Sequence, residues 1–496
     1  MFLQAIALAI SVILVYTIAT MIYNVFFHPL RKFPGPILAR TTNLTWHIQF
    51  TKGRSVAWMH ELHKKYGPVV RYGPDKLSSI KPETWKEVYG HHMPQWPKDP
   101  NFFGPDPYGE PGIIRADDVS HPRQRKLVSH AFSDRALKDQ EHVVKHYVSL
   151  LVEKLEQDAN NYDGKVDLVA WFNFTTFDVM ADLTFGESLN QLRGSMYSPW
   201  VKSIFSNVRS LQLMSIAAEW QPFTKLLTWF LIPSKVKKER QNVWRFSADK
   251  VKDRLSRQVE RNDIWSYILR YSNDENREKR MKGLTLNEML SNGQIFMSAG
   301  TETTATLLSG LFYYLLLDNQ RHARLVNEIR AAFSTFEDMT MARLAEQKYL
   351  QACIEEGLRI YPPVAVGIPR MAPKDGAKFG TDFVPKGTRV QVPQFAAYHS
   401  SHNFKDPDSF IPERWLPEGQ AVYGSDKRDV VQPFSYGPRN CLGKNIAYHE
   451  MRFILASLLW HFDLELTPET DNWADQPVYN FWVKKPLVVS LRPTRH

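Results

Sequence analysis

Cysteine is scarce: only Cys353 and Cys441 occur in 496 residues, 88 positions apart and with no Cys-x-x-Cys anywhere. That excludes a disulfide scaffold and a thiolate zinc cluster. Charge of either sign is missing from Phe2 to Phe27, a run of 26 residues. As a helix it would extend about 39 Å, against a hydrocarbon core of about 30 Å. A cleavable signal opens on a basic segment and carries an apolar stretch of only about 7–15 residues, so this run reads as an uncleaved anchor. No later stretch approaches about 18 apolar residues, which predicts a single span. Basic runs of the kind that form nucleic-acid tails are also absent, and the aromatics are spread along the chain, which argues against a nucleic-acid partner. No Gly-x-Gly-x-x-Gly, Gly-x-Ser-x-Gly or phosphate-loop signature occurs, so a nicotinamide or flavin belongs on another protein.

What is present is a chain able to bury a large core, 43% hydrophobic, 13% aromatic and 23% charged, which excludes disordered and fibrous classes. The 62 basic against 52 acidic residues leave a formal charge of +10, favouring an acidic partner or an anionic membrane surface. The first 60 residues hold five cations (Arg31, Lys32, Arg40, Lys52, Arg54) and no acid. By the positive-inside rule Met1 crosses the membrane and the rest faces the cytosol, where both thiols stay reduced. Three prolines in His28 to Pro36 forbid helix continuation and stiffen the exit. The organisation expected is an anchor at 1–27, a proline-rich neck at 28–40 and one domain at 41–496, mainly helical (α+β). Strand signals are short, at Val69–Tyr72, Leu77–Ile80, Thr388–Val392 and Val488–Leu491, so the sheets should be small and peripheral.

The longest helix signal begins at Thr285, where Thr285-Leu286-Asn287-Glu288 matches a capping box, and runs to about Leu317. Its centre, Ala299-Gly300-Thr301-Glu302-Thr303-Thr304, places a glycine and an acid in a segment otherwise lined by Leu, Phe and Met. Either something approaches that backbone closely and uses the polar groups, or the site is a packing notch with a solvated Glu. Further on, Phe434-Ser435-Tyr436-Gly437-Pro438-Arg439-Asn440-Cys441-Leu442-Gly443 delivers one cysteine at the start of an expected helix, Gly443 to about Leu459. A helix amino terminus and the nearby Arg439 should lower its thiol pKa. Glycines at 437 and 443 would fold the backbone around the sulfur and let a flat ligand lie against it.

This loop resembles the haem-ligand signature of the cytochrome P450 family, Phe-x-x-Gly-x-Arg-x-Cys-x-Gly, at every fixed position. The family's acid-alcohol helix motif is matched by Ala299, Gly300, Glu302 and Thr303, its Glu-x-x-Arg pair by Glu356 and Arg359, and a later segment by Pro412-Glu413-Arg414-Trp415. The resemblance covers essentially the whole chain and implies a cytochrome P450 fold behind one N-terminal transmembrane helix.

It further implies haem b with Cys441 as the axial thiolate ligand to iron, Phe434 and Gly443 framing it, and Arg439, Arg370 and Arg125 neutralising the propionates. Arg125 lies in a segment where His121 replaces the family's tryptophan. Glu302 and Thr303 would deliver protons through water. Glu356, Arg359 and Arg414 form an expected structural charge network. Cys353 reads as core, and the His142/His146 spacing as an exposed helix.

The activity implied is a monooxygenase at the endoplasmic reticulum that inserts one oxygen atom of O2 into a lipophilic small molecule. Its electrons would come from NADPH through a cytochrome P450 reductase, with cytochrome b5 a second candidate donor, meeting Arg123, Arg125, Lys126 and Lys444. Trp220 to Ile232, apolar with a basic follow-on, reads as a segment dipping into lipid or as core. Phe172–Leu189 and His121–Phe132 look most like fungal secondary-metabolism members, implying a polyketide, terpenoid or alkaloid scaffold. Substrate choice is assigned to Pro105–Ile114, Ser203–Ile232, Val364–Ile368 and Tyr479–Trp482. The alternatives are a haem-thiolate isomerase or dehydratase, a detoxifying monooxygenase, and a non-enzymatic haem or lipid-binding protein.

Overall fold

Phe2–Phe26 forms one helix, α1, whose apolar side chains are exposed along most of its length. The computed structural model describes residues 2–494 except 92–93, 104–107, 162–163, 207, 221–222, 258–260 and 273–282. Among them α1 is the one helix long and apolar enough to cross a membrane, about 37 Å at 1.5 Å per residue. Its base is tied down. Arg71 Nη1 donates to the Asn24 carbonyl at 2.8 Å and Arg40 Nη2 to that of Val25 at 3.0 Å. The neck begins with a short 3-10 turn, Pro29–Lys32, capped by His28 Nδ1, which accepts from Leu30 N at 3.1 Å.

Four small sheets lie at the margins. The largest has the order β1 (Val69–Gly73), β2 (Lys76–Ser79), β7 (Arg389–Gln391), β4 (Arg370–Met371), with β2 and β7 parallel and the other pairs antiparallel. A second is β3 (Lys165–Asp167), β11 (Val488–Pro493), β8 (Phe462–Leu466). The hairpins β5–β6 (Ala377–Phe379, Asp382–Val384) and β9–β10 (Val478–Tyr479, Phe481–Trp482) complete the set. The strands expected from sequence fall within a residue or two of those observed.

The helical body consists chiefly of α2 (Asp134–Asn161), α3 (Leu168–Phe185), α4 (Val208–Glu219), α5 (Thr224–Leu231), α6 (Leu286–Leu316), α7 (Lys348–Ile360) and α8 (Lys444–His461). The capping box is formed: Thr285 Oγ1 accepts from Glu288 N at 3.1 Å, and Glu288 Oε2 accepts from Thr285 N at 3.0 Å. From there α6 crosses the domain, packed against α3, α7 and α8, and buries Leu307, Leu308, Leu311 and Phe312 in the main core. A second core joins the neck, the first sheet and Trp85, Tyr89 and Trp96. Gly300 has a local explanation: a side chain there would run into Met180 of α3, at 2.7 Å from its sulfur. Met180 therefore packs against the notch.

Candidate active site

The segment before α8 folds back on itself: Cys441 N donates to the Phe434 carbonyl at 2.7 Å and Asn440 N to that of Gly437 at 3.1 Å. Ser435 and Gly437 take positive φ, 62° and 74°. At Gly437 any side chain would collide with the Tyr89 carbonyl, so the loop requires glycine there. Gly443 caps α8 at φ −86° and lies on the open side of the loop.

This loop floors a cavity of about 300 Å³. Its walls are Ile113, Ile114 and Phe132 before α3, Met180 of α3, Ile295, Ala299, Gly300, Thr303, Thr304 and Leu307 of α6, and Val364 and Ile368 after α7. Phe434, Cys441 and Gly443 lie on the floor. Cys441 is exposed and lines this space. Burial pushes its thiol pKa up, and the Gly443 amide, Arg125 and Lys444 do not offset that. The expected lowering is thus corrected: desolvation exceeds the helix-end effect, and Arg439 turns elsewhere.

Lys98, His121, Arg125, Arg370 and Arg439 also line the cavity. Arg439 donates to the Ala116 carbonyl at 2.8 Å and pairs with Asp118 at 2.6 Å. Arg125 grips Asn440, with Nη2 2.7 Å from its Oδ1. The Nε atoms of Arg370 and Arg439 are buried without partners. Burial, then the charges of Arg439, Lys98, Arg125 and Arg370, push His121 down to about 3. Burial likewise holds Arg370 down at about 10. Lys98, also driven down by burial and by Arg370 and Arg439, was not foreseen; one lysine after Trp96-Pro97 carries no local signal.

Three arginines around one apolar cavity, with Asp118 the one carboxylate in an ion pair with them among the described residues, call for an anion inside. A haem fits these donors. Its propionates would answer the orphaned guanidinium nitrogens and cations, its flat body the apolar walls, and its iron the sulfur of Cys441.

Glu302 stands apart. It is not among the cavity-lining residues; its Oε1 pairs with Lys484 and accepts from Thr306 Oγ1 at 3.3 Å. Thr303 lines the cavity and donates its hydroxyl to the Ala299 carbonyl at 2.7 Å. The acid that does reach the cavity is Glu450 of α8, unforeseen, although an acid beside Met451, Phe453 and Ile454 was a readable anomaly. Of the substrate-choice segments, 105–107, 207 and 221–222 lie outside the described residues. Ile113, Ile114, Val364 and Ile368 reach the main cavity. Ser215, Glu219 and Asn480 instead line a smaller one of about 40 Å³. Cys353 is buried core, and His142 and His146 are exposed on α2. Among the described residues no cluster of three or more His, Cys, Asp or Glu is placed to hold a metal.

A largely helical domain that turns one cysteine sulfur and a ring of cations toward an apolar cavity is a haem-thiolate architecture. Comparison with known proteins agrees: the family model for Cytochrome P450 matches residues 34–487. The cytochrome P450 monooxygenase efuB of Hormonema carpetanum is 41% identical over 499 residues, covering 99% of this chain and 97% of that protein. FUM2 of Gibberella moniliformis, also a cytochrome P450 monooxygenase, is 43% identical over 485 residues, 95% of this chain and 100% of its own. A third, aclL of Aspergillus oryzae, is 41% identical over 490 residues, 98% and 97% of the two chains. The chain belongs to the cytochrome P450 family. It is a monooxygenase, with haem held by an axial cysteine thiolate and NADPH as the ultimate reductant.

Proposed function

We propose that this enzyme hydroxylates a lipophilic polyketide, terpenoid or alkaloid scaffold as a tailoring step in fungal secondary metabolism. It works from the endoplasmic reticulum membrane with its catalytic domain in the cytosol. The observation that carries the reading is that the Cys441 sulfur and the Thr303 hydroxyl open onto one apolar cavity whose edge is lined by Lys98, His121, Arg125, Arg370 and Arg439. Haem bound there supplies the activation of O2, with the thiolate favouring O–O cleavage.

The chain's own residues do the rest. Cys441 ligates the iron, and the five cationic or titratable side chains bind the propionates. Apolar walls exclude water and select a lipophilic substrate. Thr303, its proton donated to Ala299, keeps its oxygen as an acceptor at the wall. Glu302, one residue earlier, is the acid of the pair and is held by Lys484. Electrons arrive from a cytochrome P450 reductase, or from cytochrome b5, docking over the exposed Lys126 and Lys444. Arg123 and Arg125 drop out of that surface, because Arg123 pairs with Glu288 and Arg125 is turned toward Asn440. The apolar α5 and the helix α1 bring the domain against the bilayer.

The test is twofold. The dithionite-reduced protein should show the red-shifted carbon monoxide Soret band, and Cys441→Ala should lose it. Comparing the source organism's metabolites with and without this chain, under labelled O2, should reveal a product that gains one labelled oxygen. A red-shifted band with no labelled product would sink the tailoring role while leaving the haem site intact.

A further inference from the structure

Ile113 and Ile114, on the cavity wall, belong to a loop whose backbone is held by side chains from elsewhere. Ser291 Oγ donates to the Glu110 carbonyl at 2.9 Å and Gln124 Nε2 to that of Pro111 at 2.9 Å, while Ile113 N donates to Asn292 Oδ1 at 2.8 Å. Lys98 Nζ donates to the Ile114 carbonyl, and Arg439 Nη1 to that of Ala116 at 2.8 Å. Lys98 and Arg439 line the cavity and face the propionates. Ser291, Gln124 and Asn292 do not line it.

Asn292 and Gln124 form one relay. Asn292 Nδ2 donates to Gln124 Oε1 at 3.2 Å, and Gln124 Nε2 also donates to Glu288 Oε1 at 3.0 Å. Both amide side chains are 0% exposed. Each has its oxygen and its nitrogen engaged inside the protein, and through them the loop is joined to α6 and to the helix Ser120–Val128. The approach is close as well: a side chain at Gly112 would begin 2.8 Å from Ile295 Cδ1 and 3.1 Å from Asn292 Oδ1.

We propose that Asn292 is a positioning residue for substrate recognition: through Ile113 N and Gln124 it clamps the loop onto α6 and fixes the Ile113–Ile114 wall before a substrate arrives. The proposal rests on the reading above of this cavity as the substrate space. Connecting loops are ordinarily mobile, and a mobile wall has to be ordered when a ligand binds, which lowers affinity. Parting the relay would leave buried donors and acceptors unanswered, so the wall stays in place. A ligand too small to use the wall gains nothing from the clamp.

The experiment uses the full-length, haem-loaded protein and its Asn292→Leu, Gln124→Met and double variants. All should keep the red-shifted carbon monoxide band, since neither amide lines the haem space. Imidazole and 1-phenylimidazole, which ligate haem iron from the substrate side, are titrated by their spectral shift. Imidazole affinity should stay within about twofold of wild type. The phenyl ring adds apolar surface for the walls, so 1-phenylimidazole should bind about five- to tenfold more weakly in each single variant. The double variant should fall no further than the weaker single, as expected of groups acting as a unit. Hydrogen exchange over residues 110–116 should quicken about tenfold in each variant and stay unchanged in α8. Where Asn292→Leu does not accumulate, Asn292→Ala carries the same test.

Loss of the carbon monoxide band in every variant, or equal weakening of both azoles, would make the amides supports of the haem pocket and overturn the proposal. So would 1-phenylimidazole affinity unmoved in the single variants, a double variant whose loss is the product of the single losses, or unchanged exchange at 110–116. If wild type gives no shift with either azole, the reading of the cavity as the substrate space falls, and the exchange measurement still decides whether Asn292 holds the loop.

Discussion

Glu450 projects from α8 into the cavity wall with a side chain 1% exposed; one oxygen has no partner and its carboxyl bonds to Thr304. Burial pushes its pKa up to about 8, the Thr304 hydrogen bond opposing that only in part. An acid raised in the folded state is protonated in both states below about pH 4.5. As pH rises the unfolded chain ionises first, so folding loses stability up to the folded pKa, in total on the order of 5 kcal/mol. Glu450→Gln keeps a donor and an acceptor for Thr304 and cannot ionise. Its melting temperature should match wild type near about pH 4.5 and exceed it progressively toward about pH 8. Thermal melts of the full protein across that range check this; an offset that does not change with pH would mean that Glu450 is not the buried neutral acid described. Neither this residue nor Lys484 could be assigned its neighbours from sequence. Desolvation and partners 182 positions away are products of the fold, and the same blindness produced the mistaken lowering of the Cys441 thiol.

On α7, Glu356 and Arg359 stand at i and i+3, and both are fully buried with Arg414. Glu356 accepts from Arg359 Nη2 at 2.8 Å, Arg414 Nε at 3.1 Å, the Ile411 amide at 2.8 Å and the Trp415 indole at 2.9 Å. Arg359 also caps the carbonyls of Tyr398 and Ser409, at 2.9 and 2.8 Å, and Arg414 pairs with Asp426. Two cations therefore meet two anions in a closed set that pins the segment 398–426 to the helix. Glu356→Gln would strand half a pair of guanidinium charges and should cost about 3–5 kcal/mol, read as a lower denaturation midpoint. A loss below about 1 kcal/mol would place the set among weak, solvated pairs instead. The helix spacing made the first two members legible, and a charge pair ahead of Pro362-Pro363 has few other uses. Arg414 and Trp415 came with the Pro412–Trp415 motif, whereas Asp426 was hidden because an irregular segment, which carries no periodicity, brings it in. The same division runs through the site: the cysteine loop and the capping box are local in sequence and were readable, while Lys98 and the Met180 that packs against the Gly300 notch reach the site only through tertiary packing.

At the scale of the molecule, α1 and α5 mark one apolar side. No residue of α5 is buried, and Phe223, Leu226, Trp229 and Phe230 are all exposed, which favours the lipid reading of this segment over core packing. Glu219, at the end of α4 just before α5, bonds to His47 Nε2 at 3.0 Å and pairs with Lys76 at 2.8 Å, so this region is tied to the segment that follows the neck. Burial pushes Glu219 up, but His47 and Lys76 outweigh it and hold it down at about 2. The tie therefore stays charged near neutral pH and weakens only in strong acid. Ile37, Leu38, Leu44 and Ile48, on the tied segment, are exposed as well. Patches of this kind on a folded surface mark contact with lipid or another apolar surface, and each such side chain taken out of water contributes about 1.5–3 kcal/mol. α1 is itself long and apolar enough to hold the chain at a bilayer whatever α5 does, so retention on vesicles cannot distinguish the two. Depth can. In vesicles containing brominated lipid, quenching of tryptophan emission reports indoles within the acyl region. Trp229→Phe should remove a clear part of the quenched signal, while Trp473→Phe, in the buried core, should leave the quenched part intact. Equal quenching in Trp229→Phe and wild type would put α5 in water and reject its contact with the bilayer.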